Sequence, residues 1–184
     1  MPNAELQTES IVRHALSNNK KVFVPYLHKV TSPVEGQPKS VMDMVDLRTI
    51  DDFESLQRDK WGIPTIDQES VSSRERILGD INASTVERHP LDLILVPGVA
   101  FDIDSETGFI RRLGHGKGFY DFFLQRYFEG TEQIELSVRP GSGLKLYGLL
   151  LKEQYLSDED RPVPVGPQDS LIHGLVCGNG KVMP

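Results

Sequence analysis

Cysteine is almost absent from this sequence: Cys177 is the only one. A lone cysteine closes no intramolecular disulfide and builds no Cys-based zinc site. A reducing compartment fits, with the cytoplasm as the default address. Basic residues are also short, 20 Lys and Arg against 27 Asp and Glu, for a formal charge of -7. Non-specific nucleic-acid binding needs a basic face that neutralises phosphates, so that partner class is set aside. A local basic pocket for a small polyanion is still compatible with the total. No apolar run reaches the length of a membrane span. The opening MPNAELQTES has no basic n-region, no apolar h-region and no run of arginines, so it reads as neither signal nor transit peptide. A start upstream of Met1 would leave a mitochondrial address open.

What is present suits one globular domain over residues 1–184, with 38% hydrophobic and 26% charged residues. Ile11, Val12, Ala15 and Leu16 recur at helical spacing, with Thr8 as N-cap, Glu9 in the first turn and Asn18–Asn19 at the end. Val22–Val24 reads as a short buried strand stopped by Pro25. Residues 28–40 read as a loop, Val41–Leu47 as an alternating strand and Thr49–Leu56 as a short helix. Residues 68–90 form a polar surface excursion. Leu91–Val96 is the clearest strand, closed by Pro97 and Gly98. A loop and a glycine-rich turn follow. Tyr120, Phe123, Leu124 and Tyr127 then mark one apolar helix face. Residues 129–143 read as loop, and Leu144–Leu151 and Ser170–Val176 as strands. This alternation predicts an α/β fold, a mostly parallel Rossmann-like sheet with helices on both faces. Ligands in such sheets sit beyond the carboxyl ends of strands, which is where 97–120 falls.

The segment richest in chemistry is Arg112-Leu113-Gly114-His115-Gly116-Lys117-Gly118-Phe119-Tyr120-Asp121. Alternating glycines let successive N–H groups turn inward and form an anion nest. The following helix points its positive end at the same place. Arg112 and Lys117 add charge, His115 is a third candidate, and Asp121 suits Mg²⁺ held against a phosphate. A polyphosphate is the natural guest. The plainer reading is a tight loop-to-helix connection. The spacing is neither a Walker A loop nor the dinucleotide fingerprint.

Leu91–Asp102 (LDLILVPGVAFD) followed by RLGHGKGFYD resembles the signature of the 5-formyltetrahydrofolate cyclo-ligase family. Weaker matches are Ala4–Thr8, Lys60–Pro64, Lys152–Gln154, Val163–Val165 and Asp169, so the resemblance covers nearly the whole chain. It implies an enzyme in which ATP phosphorylates the formyl oxygen of 5-formyltetrahydrofolate. The 10-position nitrogen then attacks, giving 5,10-methenyltetrahydrofolate, ADP and phosphate. By position, the resemblance implies an ATP-binding loop of Arg112, Leu113, Gly114, His115, Gly116, Lys117, Gly118, Phe119 and Tyr120, with Lys117 catalytic. It implies folate contacts at Glu5 and at His115, Gly116, Lys117, Gly118 and Phe119, and Mg²⁺ ligands at Asp121 and Asp169. Partners would be these small molecules alone, with no nucleic acid or membrane, on a monomeric chain.

Each residue has a bland alternative. Glu5 reads as an exposed carboxylate near a helix start, Asp169 as a turn residue, His115 as a solvated side chain. Trp61 is expected in the core, Cys177 as a buried small hydrophobe, and Lys152–Glu153 on a solvated face. Two features depart from the family pattern. Phe119 stands where many members have tyrosine, which removes a hydroxyl from the folate side. The family's basic N-terminal helix and first strand would precede Met1, so the chain is expected to be N-terminally incomplete relative to the family. That departure keeps a second function open, a non-catalytic folate- or nucleotide-binding protein. The fold alone also admits a sugar-phosphate isomerase or an acyl-CoA transferase, against which the glycine loop and Asp169 argue.

Overall fold

A computed structural model describes residues 6–29, 40–78, 90–129, 143–157, 161–167 and 169–183. The chain divides into two compact units, Met1–Pro90 and Leu91–Pro184.

In the first unit, α1 (Glu9–Ser17) follows the apolar spacing read above. Thr8 is its N-cap by position, but its hydroxyl makes no capping bond. The helix ends at Asn18, and Asn19 takes φ 53°, a left-handed conformation that asparagine tolerates. β1 (Val22–Lys29) pairs antiparallel with β2 (Ser40–Leu47) from Val22–Leu47 to Lys29–Ser40. Pro25 therefore does not stop the strand; it lies opposite Met44. β1 has β2 as its one strand partner among the described residues, and an edge strand tolerates a missing donor.

β2 departs from its expected alternation: Val41 to Val45 are all buried. The strand also has a neighbour on its second edge. Asp46 N–H donates to Glu75 O at 3.0 Å and Ile77 N–H to Met44 O at 3.1 Å, which makes β2 central. α2 (Ile50–Ser55) is capped by the Thr49 hydroxyl, which accepts from Asp52 N–H at 3.1 Å. β3 (Gln57–Arg58) and β4 (Pro64–Thr65) form a small hairpin, and α3 (Gln68–Val71) follows. Trp61 sits at that hairpin's tip, 65% exposed, with Lys60 Nζ 4.2 Å from its ring centroid. The expectation of a core tryptophan is thus overturned: a four-residue strand pair has no interior to receive the ring. The core of this unit is Val45, Leu47, Phe53, Ile66 and Val71. Buried Arg74 closes it by donating to both Asp52 oxygens, at 2.6 and 2.8 Å, and to Asp46 O at 2.8 Å. The Arg74 hydrogen bond holds the Asp52 carboxyl below its ordinary pKa, against the opposing effect of burial.

The second unit contains β5 (Leu93–Pro97), β6 (Ala100–Ile103), β7 (Ile110–Leu113), α4 (Phe119–Phe128), β8 (Lys145–Leu150), a 3-10 turn (Lys152–Gln154), β9 (Gly174–Cys177) and β10 (Val182–Met183). Its sheet runs β10-β9-β8-β5, with β5, β8 and β9 parallel and β10 antiparallel. The fold is mixed α/β with a mostly parallel sheet, as the sequence pattern predicts. Where the sequence reads as loop between Gly98 and the glycine-rich turn, the structure has the hairpin β6–β7. It turns at Asp104–Gly108: the Asp104 carboxylate accepts from Glu106 N–H at 2.9 Å, and Gly108 takes φ 73°. Phe101 on β6 is fully buried, and its ring lies over Gly148 of β8, where an added Cβ would stand 2.6 Å from it. Phe101, Ile110, Phe123, Leu146, Leu150, Ile172 and Leu175 are among its fully buried side chains. Burial of each such side chain contributes roughly 1.5–3 kcal/mol. Cys177 is half-buried rather than buried, while Lys152 and Glu153 are exposed as read. Of the expected loops, residues 30–39, 79–89 and 130–142 lie outside the described residues; Val71, Arg74 and Ile77, within the expected surface excursion, are buried.

Candidate active site

β7 ends at Leu113 and α4 begins at Phe119, so Gly114–Gly118 must connect them in five residues. The glycines serve two different needs. Gly116 and Gly118 take φ 74° and 61°, where a Cβ is strained. Gly118 is also the N-cap of α4, and its carbonyl accepts from Phe122 N–H at 2.9 Å. Gly114 leaves room for a neighbour: a Cβ there would stand 3.0 Å from Arg112 Nη1. At the loop entrance, Val99 N–H donates to Leu113 O at 2.7 Å, tying it to the turn after β5. The loop therefore joins the end of the antiparallel strand β7 to a helix N-terminus, beside the turn that follows the parallel strand β5.

The charged residues sort into two groups. Arg112 is inside, 9% exposed. It donates Nη2 to Asp121 Oδ2 at 2.6 Å and Nη1 to Pro97 O at 3.3 Å. Asp121 Oδ1 accepts from Ser170 N–H at 3.1 Å. His115, Gly116, Lys117 and Gly118 are exposed, and Lys117 has no ion-pair partner among the described residues. Phe119 and Tyr120 are half-buried. Burial pushes the Tyr120 phenol up to about 12, with the Arg112 charge pulling it back. Tyr120 is thus a hydroxyl donor at neutral pH.

Asp169 is exposed, and its Oδ2 accepts from Gly166 N–H at 2.7 Å. It immediately precedes Ser170, whose N–H bonds Asp121, so the structure brings the backbone beside Asp169 to the Asp121 carboxylate. Two carboxylates are a fitting protein share for Mg²⁺, which keeps waters and takes phosphate oxygens for the rest. No cluster of three His, Cys, Asp or Glu suited to a metal occurs among the described residues. Glu5 lies outside the described residues.

Sequence reasoning missed Asp102. It is 6% exposed and takes a two-pronged bond from Arg111, Nε to Oδ1 at 2.7 Å and Nη2 to Oδ2 at 2.8 Å. Its Oδ2 also accepts from Val163 N–H at 2.9 Å. Asp102 thereby fixes the hairpin that carries Arg112 and anchors the segment leading to Asp169. The available signal was Asp102 and Arg111 facing each other across a Gly-containing turn. A separate cleft of about 620 Å³ in the first unit is lined by Leu16, Lys21, Asp46, Arg48, Asp51 and Glu75, among others. It includes none of the predicted site residues.

Residues 1–177 match the model of the 5-formyltetrahydrofolate cyclo-ligase family. The chain belongs to that family. A probable 5-formyltetrahydrofolate cyclo-ligase of Schizosaccharomyces pombe is 31% identical over 176 residues, covering 96% of this chain and 70% of the relative. A probable 5-formyltetrahydrofolate cyclo-ligase of Caenorhabditis elegans is 32% identical over 167 residues, 91% of this chain and 64% of the relative. A mitochondrial 5-formyltetrahydrofolate cyclo-ligase of Arabidopsis thaliana is 31% identical over 175 residues, 94% of this chain and 52% of the relative. Cyclo-ligases are ligases of folate and one-carbon metabolism, as the family name states. No helix among the described residues is long and apolar enough to cross a membrane.

Proposed function

We propose that this cyclo-ligase family member converts 5-formyltetrahydrofolate to 5,10-methenyltetrahydrofolate, using ATP and releasing ADP and phosphate. The reading includes a Rossmann-like layering with helices on both sheet faces, a monomeric chain and a cytoplasmic address. The observation that carries it is the exposed Gly114–Gly118 loop at the N-terminus of α4, with Lys117 on it, in a chain matched to the family over residues 1–177.

The γ-phosphoryl group passes to the formyl oxygen, the 10-position nitrogen bonds the activated formyl carbon, and that carbon's bond to the phosphorylated oxygen breaks. Phosphate leaves with the formyl oxygen. Such transfer needs positioning and charge neutralisation more than a protein nucleophile. Inward N–H groups of Gly114–Gly118 hold phosphate oxygens, and Lys117 neutralises the transferring group. His115, Gly116, Gly118 and Phe119 border the folate, with Glu5 on its pterin. Arg112 and Tyr120 shape the floor, Arg112 by fixing Asp121. Asp121 and Asp169 would hold Mg²⁺, which supplies further neutralisation of phosphate charge.

Oxygen isotope transfer tests the route. With ¹⁸O in the formyl group, the label is expected in inorganic phosphate. Label remaining in water or formate, with unlabelled phosphate, contradicts phosphorylation of the formyl oxygen.

A further inference from the structure

We propose that Gln154 is a positioning residue for the glycine loop, acting through the Pro97–Gly98 turn and Arg112; this rests on the reading of that loop as the active site. Gln154 ends the 3-10 turn after β8, and both ends of its amide are used. Oε1 accepts from Leu151 N–H at 2.8 Å, and Nε2 donates to Gly98 O at 2.7 Å. An amide is the side chain that offers an acceptor and a donor on one rigid plane. The first bond orients the side chain on the end of β8. The second crosses to the carboxyl end of β5.

The turn held in this way has little room to move. A Cβ on Gly98 would stand 2.5 Å from the buried Phe101 ring and 3.1 Å from Arg112 Cγ, so its backbone lies directly on both. Pro97 O accepts from Arg112 Nη1, and Arg112 Nη2 reaches Asp121 in the first turn of α4. Gly114 packs against the same guanidinium. A displaced Gly98 carbonyl would therefore shift Arg112, which touches Gly114 at the start of the loop and Asp121 in the first turn of the helix after it. Gln154 acts on the loop through these groups.

The test uses the full chain, two variants and two readouts. Gln154→Ala removes both bonds. Gln154→Glu keeps the volume and the acceptor for Leu151 N–H. Its ionised form sets an oxygen against the Gly98 carbonyl, and its protonated form donates to that carbonyl again. By NMR, the Arg112 guanidinium protons are expected to exchange about tenfold faster than wild type in both variants near neutral pH, the scale of one lost hydrogen bond. On acidification, Gln154→Glu should return toward the wild-type rate at the same pH, and Gln154→Ala should not. Turnover should follow the same pattern, with kcat falling and KM for the folate little changed. Unchanged Arg112 exchange in Gln154→Ala overturns the proposal whatever the activity. Equal defects in the two variants at every pH overturn it too, because the donated bond is then not what matters. A wild type with protected Arg112 protons that are exposed in Gln154→Ala, but with no turnover, supports the positioning role and contradicts the active-site reading instead.

Discussion

Lys117 and Arg112 are five residues apart and electrostatically opposite in situation. Lys117 is exposed on the loop, while Arg112 is buried against Asp121. Lys117→Ala is expected to lower turnover by two or more orders of magnitude, roughly the effect of removing one strong transition-state charge contact. Its thermal unfolding should be unchanged, since the side chain supports no packing. Lys117→Arg should rescue poorly, because a planar fork does not replace a compact point charge. Asp121→Ala should lower turnover as well, being a proposed Mg²⁺ ligand, and unlike Lys117→Ala should also unfold more easily, because it leaves the buried Arg112 guanidinium without its carboxylate. The loss is about 3–5 kcal/mol for a fully buried pair, and the lower end applies here because the Asp121 side chain keeps 14% exposure. Urea unfolding measures it. The sequence made the residue types of this loop legible, and the family resemblance assigned their roles. It did not separate the buried cation from the exposed one. That distinction depends on Ser170 and Pro97, which local spacing cannot bring to Asp121 and Arg112. Asp102 was hidden for the same reason: its third bond comes from Val163, 61 positions away.

At the scale of elements, strong periodicity was legible and short strands were not. α1, α4, β5 and β8 lie where apolar spacing puts them. β6 and β7 have four residues each, too few for alternation to stand out, and their charged members Asp102, Arg111 and Arg112 read as loop until they are paired. The 75–77 segment pairs along the second edge of β2, a contact set by tertiary structure that local alternation does not signal. The β6–β7 hairpin is held to β8 by the fit of Phe101 over Gly148. Gly148→Ala places a methyl within 2.6 Å of the Phe101 ring and 2.8 Å of Leu175 Cδ2, both on buried side chains. It should destabilise the protein by about 1–3 kcal/mol, the usual effect of overpacking. Thermal melting with Gly143→Ala as a control, where nothing lies within 4 Å, checks this.

For the molecule as a whole, pH acts through a histidine outside the site. His173 Nδ1 accepts from Leu146 N–H at 3.0 Å, and its Nε2 is buried with no hydrogen-bond partner among the described residues. Burial first, then the Lys145 charge, lower its pKa from the ordinary 6.5. The unfolded chain then binds a proton that the folded state resists. Stability is full above the unfolded value near 6.5 and declines as pH falls from there toward the lower folded value. His173→Asn keeps an acceptor for Leu146 N–H and removes the titration. Urea midpoints at about pH 7.5 and about pH 5.5 should therefore differ less in the variant than in wild type. An equal difference would assign the pH dependence to other groups.

ATP-dependent ring closure is the reaction proposed for this chain. The direct measurement is the absorbance of methenyltetrahydrofolate formed from 5-formyltetrahydrofolate, with ATP and Mg²⁺ present and with ATP withheld. Product is expected only with ATP, one phosphate released per ring closed. A folded chain that binds ATP and the folate yet forms no methenyl product would contradict it and mark the protein as a binding relative of the family.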